Sequence, residues 1–137
     1  MIRLRPASIE DIERLITLSQ YLSAYYPPES QIEQAAINFF SQPLYSIVAE
    51  SSDRIVGFGY VHFHRKPRGG IIGMIEDVVV DPDFRHRGVG SLIVKELLEN
   101  CWSSGCYKVS LFCSSENIDF YKKLGFLKVD QYMKKLA

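Results

Sequence analysis

Two rhythms of apolar and polar residues run along this chain, and the switches between them mark its elements. Residues 2–5 alternate apolar and basic, as an edge strand does. Ser8-Ile9-Glu10-Asp11 has the form of a capping box, and Ile12, Leu15, Ile16 and Leu22 behind it mark one helix face. Pro27-Pro28 is expected to end that helix. A second box, Ser30-Gln31-Ile32-Glu33, predicts a helix to about Phe40, stopped by Pro43. Residues 45–50 and 55–64 read as strands joined by the Ser51-Ser52-Asp53-Arg54 turn, and Gly57 and Gly59 predict a bend or a close backbone approach. Lys66-Pro67-Arg68-Gly69-Gly70 is a loop, so residues 71–80 should return antiparallel. Val89, Leu92, Ile93, Leu97 and Cys101 recur at helical spacing to about Ser103, before Gly105. Residues 107–113 alternate as a strand, 117–124 form a short helix capped by Gly125, and 126–135 predict a last strand. The order β, α, α, β, β, β, α, β, α, β is that of an α/β chain. It predicts a mixed, mostly antiparallel sheet with helices on both faces. No repeat or linker divides it, and residues 1–137 read as one domain.

Composition narrows the classes. A chain of 137 residues with 47% hydrophobic and 23% charged residues can bury a core. Sixteen basic residues balance sixteen acidic ones, so no overall field draws it to nucleic acid or to an anionic membrane. The first residues lack the apolar core of a signal peptide, and no apolar run could span a bilayer. Cys101, Cys106 and Cys113 form neither a CxxC motif nor a zinc quartet, which fits free thiols in a reducing compartment and a cytoplasmic location.

One stretch carries a candidate chemistry. Ile75-Glu76-Asp77-Val78-Val79-Val80 reads as a buried strand, Asp81-Pro82-Asp83-Phe84 as a turn, and Arg85-His86-Arg87-Gly88-Val89-Gly90-Ser91 as a loop entering a helix. Glycines let a ligand approach the loop backbone, and the free amides of a helix start favour an anion. Arg85, His86 and Arg87 add positive charge, so the site suits a diphosphate. A Walker loop is absent, and Gly88-Val89-Gly90 lacks the third glycine of a dinucleotide fingerprint, since Ile93 stands there.

The pattern Arg85-x-x-Gly88-x-Gly90 between this strand and this helix resembles the acetyl-coenzyme A loop of the GCN5-related N-acetyltransferase (GNAT) family. Asn117-x-x-x-Tyr121 followed by Leu124-Gly125-Phe126 resembles the other half of that family's cofactor site. The resemblance covers the whole chain and implies a V-shaped site between two splayed strands, here those ending near Val80 and starting near Tyr107. It implies acetyl-CoA held by Val78, Val79, Val80, the loop from Arg85 to Ser91, and Asn117. It also implies direct attack by an amine, with Tyr121 protonating the departing thiolate. Such transfer needs a base for the amine proton and a donor for the developing oxyanion. Glu76 is the candidate base. Strand alternation places Glu76 with Val78 and Val80, and Asp77 with Ile75 and Val79, on opposite faces.

Within the family, the run from Met74 to Val80, Gly105-Cys106-Tyr107-Lys108-Val109 and the Asn117–Phe126 run look like glucosamine-6-phosphate N-acetyltransferases. By that similarity Glu76, Asp77, Tyr107 and Lys108 would meet a sugar phosphate, with His64, Lys66 and Lys135 complementing its charge. The similarity also implies a homodimer with sites near the subunit interface. Two features depart from those enzymes. Phe112 stands where they carry an acidic residue, and the hairpin from His64 to Gly73 differs. Another small amine or a peptide N-terminus is the alternative acceptor, and a non-catalytic acyl-CoA sensor is the rival of another class. A nucleotide-binding module ranks behind both. His62-x-His64 supplies at most half of a metal site, and no metal is expected. Cys113 has no histidine placed to activate it. Trp102, Tyr21, Tyr25 and Tyr26 are read as core and pocket wall.

Overall fold

The structure is a computed structural model describing residues 1–137. Five strands form one sheet in chain order: β1 (Arg3–Pro6), β2 (Leu44–Ser51), β3 (Arg54–Arg65), β4 (Ile71–Val80) and β5 (Cys106–Leu111). The first four pair antiparallel in succession. β4 and β5 are parallel, which requires a crossover, and the helix α3 (Val89–Ser103) supplies it. α1 (Ile12–Ser19) and α2 (Glu29–Phe40) lie on the other face, so the expected mixed sheet with helices on both sides is present. The short α4 (Ile118–Lys123) packs Phe120 and Tyr121 on the α3 side.

Each face has its own core. Ile47, Val56, Val61 and Ile75 meet Val89, Ile93, Val94, Leu97 and Cys101 of α3. Leu15 and Leu18 of α1 meet Val48, Ile55, Phe58 and Val79 on the opposite face. Gly57 and Gly59 bring α3 close, as their spacing predicts: a Cβ at Gly59 would lie 2.9 Å from Ile93 Cγ2.

Several boundaries differ from the sequence reading. α1 stops at Ser19, well before Pro27: beyond it the backbone amides of Gln20, Tyr21 and Leu22 donate three residues back, to Thr17, Leu18 and Ser19, in a tightened last turn. Leu22 is therefore exposed, and Leu18 takes the buried place. At Ser8 the carboxylate half of the box forms, with the backbone amide donating to Asp11 at 2.8 Å. Ser30 does not cap α2. That helix begins one residue after Pro28, which leaves Ser30 inside the first turn. Leu92 is exposed where Val94 is buried. Trp102, Tyr21, Tyr25 and Tyr26 are also exposed, and form no core. Residues 126–135 form no strand: no strand of this protomer pairs with them.

Gly59→Ala should test the close approach. The added methyl meets buried Ile93 and, at 3.3 Å, Val78. Overpacking of this kind should cost about 2 kcal/mol in urea unfolding.

Candidate active site

β4 loses its partner halfway along. Its pairing with β5 ends at Ile75↔Leu111, so residues 76–80 present an open edge on that side. The opening lies toward the Val80 end of β4, where the V between two strands is expected. At the same point β4 carries a bulge against β3: Phe58 pairs with Val79 and Tyr60 with Glu76, leaving Asp77 and Val78 opposite Gly59. Asp77 adopts φ +53°, a left-handed conformation.

The bulge overturns the alternation expected for Glu76 and Asp77. Val78 and Val80 pack with the α3 core together with Ile75, while Val79 packs with α1. Glu76 lies beside Tyr60 on the α1–α2 face, and its Oε2 accepts the Tyr60 hydroxyl proton at 2.8 Å. Asp77 joins this group rather than pointing away. Burial and the Glu76 charge push its carboxyl up, and the Tyr60 hydroxyl offsets part of that rise. Both carboxylates thus act on one spot.

Beyond β4, Asp81 fixes the loop. Its Oδ2 accepts from Arg14 and Arg54 at 2.8 Å each, and its Oδ1 from the Asp83 amide at 3.0 Å. Arg14 also donates to the Ile55 carbonyl at 2.9 Å, tying α1, β3 and the loop together. Burial opposes ionisation of Asp81, but the Asp83 amide and the two guanidiniums outweigh it and hold the carboxyl below the usual carboxylate range. Arg14 and Arg54 were missed in the sequence because this clamp spans three elements.

The next segment suits an anion. No carbonyl or side chain of the protein accepts from the amides of His86, Arg87, Gly88, Val89, Gly90 or Ser91. His86 at φ +63° and Gly88 at φ +81° curl these amides around the start of α3. Arg85 donates to the Val80 carbonyl at 3.1 Å and stands over the Tyr21 ring, while Arg87 stands over Phe84. Six free amides, two guanidiniums and a helix N-terminus fit a diphosphate.

α4 closes the other side. A Cβ at Gly90 would lie 3.3 Å from Phe120, so the glycine lets α4 sit against the loop. Tyr121 is half-buried between the Phe120 and Phe126 rings, at 4.9 and 5.7 Å. Burial, and then the nearby Cys113, push its hydroxyl up to about 12, so it holds its proton at neutral pH. Asn117 caps α4 and donates to the Ser114 hydroxyl at 3.2 Å.

Other predicted residues lie elsewhere. Tyr107 and Lys108 begin β5, four and three residues before Leu111, which places them roughly 10–13 Å from the splay. His64 pairs with Ile72 at that same end, with its ring 4.8 Å from that of His62. Lys135 lies in the exposed segment after α4. The sheet register of one protomer does not bring Tyr107, Lys108 or His64 to Glu76. No group of three or more metal-ligating side chains converges anywhere in the chain.

Asp81→Asn tests the clamp. Unpairing two guanidiniums at a buried site should cost about 2 kcal/mol at neutral pH in urea unfolding. Folding lowers the pKa of Asp81, so its contribution is complete above the ordinary value of about 4 and is lost as the pH falls through the lower folded value. Wild type and variant should therefore converge in acid. A constant gap would remove the charge from the account.

The geometry has close counterparts. The model of the Acetyltransferase (GNAT) family matches residues 9–126. Glucosamine 6-phosphate N-acetyltransferase of Trypanosoma brucei brucei is 42% identical over 87 residues, which cover 62% of this chain and 59% of that protein. Glucosamine 6-phosphate N-acetyltransferase 1 of Oryza sativa subsp. japonica is 33% identical over 143 residues, covering 96% and 84% of the two chains. The crystal structure of glucosamine-6-phosphate N-acetyltransferase from Arabidopsis thaliana matches with a TM-score of 0.87 and 32% identity, over 99% of this chain and 98% of that one. With the open β4 edge, the amide-lined loop and α4 all in place, the chain belongs to the GNAT acetyltransferase family.

Proposed function

We propose that residues 1–137 are a single acetyltransferase domain that moves acetyl from acetyl-CoA directly onto a primary amine, with glucosamine 6-phosphate as the leading acceptor. The observation that carries this reading is the run of six unpaired amides from His86 to Ser91, set beside a protonated Tyr121. The relatives' names support the acceptor.

In this reading the loop from Arg85 to Ser91 would hold the diphosphate of acetyl-CoA, and Val78, Val79 and Val80 of the open edge, with Asn117, would hold the arm that carries the thioester. Bound acetyl-CoA supplies the activated acetyl group. Glu76, with Asp77 beside it, takes the proton that the attacking amine must lose. A free amide of the open edge donates to the developing oxyanion. Tyr121 delivers its proton to the departing sulfur. Three unpaired cysteines agree with a reducing, cytoplasmic setting, and no helix is long and apolar enough to cross a membrane.

The phosphate-binding roles of Tyr107, Lys108 and His64 call for a second copy, because the register of one protomer sets them three to four residues along the sheet from the splay. A homodimer is supported by the apolar side chains that the last segment exposes: Leu127, Val129, Tyr132, Met133 and Leu136. Light scattering should give the mass of a dimer, and Val129→Lys combined with Met133→Lys should give a monomer. A monomeric wild type would remove the dimer.

Thiol release from acetyl-CoA, with glucosamine 6-phosphate beside a panel of amines, tests the activity. Rapid release with the sugar phosphate supports the reading. Release with another amine alone replaces the acceptor, and silence with coenzyme A still bound favours a sensor. Tyr121→Phe should lower turnover about 100-fold while sparing coenzyme A affinity. Gly88→Val, at a left-handed position, should abolish coenzyme A binding.

A further inference from the structure

Tyr60 is absent from the sequence-predicted site, yet it makes the one side-chain hydrogen bond to Glu76. It stands at Glu76's register position on β3, directly before the residues that bulge out of β4. Its ring is held edge-on by Phe39 of α2 at 4.9 Å and lies 6.0 Å from Phe58. The ring is therefore fixed by packing, and its hydroxyl is held at the Glu76–Asp77 pair, 2.8 Å from Glu76 Oε2. Ser46 is its register partner on β2, and His62 is the next side chain along the same face of β3. The charges acting on the hydroxyl are those of Glu76 and Asp77. Burial, the bond to Glu76 and these two charges raise it far above the ordinary tyrosine value, so Tyr60 remains a donor.

We propose that Tyr60 is a positioning residue for acetyl transfer: its hydroxyl holds the Glu76 carboxylate toward the acceptor face of the β4 bulge. The role rests on Glu76 taking the amine proton, as proposed above. Glu76 is a solvent-exposed side chain with several free torsions. A fixed donor on one oxygen restricts them and leaves the second oxygen for the amine. A misplaced base loses rate even when its chemistry is intact. Tyr60 itself neither gains nor loses a proton in the reaction.

Tyr60→Phe keeps the ring against Phe39 and removes only the hydroxyl. It should lower kcat about 10- to 50-fold with coenzyme A affinity unchanged. In a Glu76→Gln background the same change should add nothing. A wild-type rate in Tyr60→Phe, beside a disabled Glu76→Gln, would overturn the role of Tyr60 alone. An equal loss in both backgrounds would also overturn it, since Tyr60 would then act apart from Glu76. Full activity in Glu76→Gln would overturn the base and its positioning residue together. Should the wild type acetylate no amine, the transfer reading falls, and carboxyl carbon NMR of Asp77 decides the contact. Its titration should rise in Tyr60→Phe and fall in Glu76→Gln, and an unmoved titration in Tyr60→Phe would remove the bridge.

Discussion

Between its two paired stretches β4 carries one residue more than β3, so Asp77 and Val78 together face Gly59. That extra residue changes the phase of the strand. Without it, Val78 and Val80 would turn toward α1, and Val79 would meet α3. With it, Val78 reaches the α3 core and Val79 the core of α1 and β2. Gly59 makes the arrangement possible from the other side, since a Cβ there would lie 3.3 Å from Val78 Cγ2. The left-handed backbone at Asp77 carries a cost of about 1–2 kcal/mol. It persists because the ladder is intact on both sides, from Arg65↔Ile71 to Tyr60↔Glu76 and again at Phe58↔Val79. The added twist also accompanies the parting of β4 from β5, which stops pairing one residue before Glu76. The open edge and the convergence of Glu76, Asp77 and Tyr60 therefore share one local cause.

The loop is positioned by a different kind of interaction. Asp81 draws a guanidinium from α1 and another from β3 to the end of β4, so the segment carrying the six free amides starts from a point fixed to both layers. A diphosphate site of backbone amides works only when those amides already point inward. Each one that had to be ordered on binding would subtract conformational entropy from affinity. The arginines of the loop itself are partly engaged with Val80, Tyr21 and Phe84, which leaves the backbone as the primary cradle.

Much of this was legible in the sequence because it is local. The turn and loop from Asp81 to Ser91, the start and end of α3 and the hairpin at Lys66–Gly70 each follow from spacing within a few residues. The bulge was not legible. Asp77 carries no glycine signal for a left-handed backbone, and two adjacent acids in a valine-rich strand read as simple alternation. Tyr60 escaped for a related reason: its importance depends on cross-strand register, set by a partner sixteen residues away. The last strand failed differently. Residues 126–135 have the alternation of a strand, but alternation specifies a face and not a partner, and no strand of this protomer pairs with them.

The two walls of the V differ in chemistry, and the difference bears on the acceptor. At the end of β5 stands Phe112, exposed and stacked on Tyr132 at 4.6 Å, followed by the thiol of Cys113. An aromatic pair can shape a pocket and cover a sugar face, but it cannot take a proton from an amine. On β4 stand Glu76 and Asp77, supported by a tyrosine that keeps its proton. In the proposed reading the amine proton is taken on the β4 side, Tyr121 of α4 supplies the proton for the sulfur, and the β5 side governs shape. In that reading an ammonium entering between them would meet two carboxylates that repel one another, and its charge would relieve that repulsion. Losing its proton to the same pair would then give the neutral amine that the proposed attack needs.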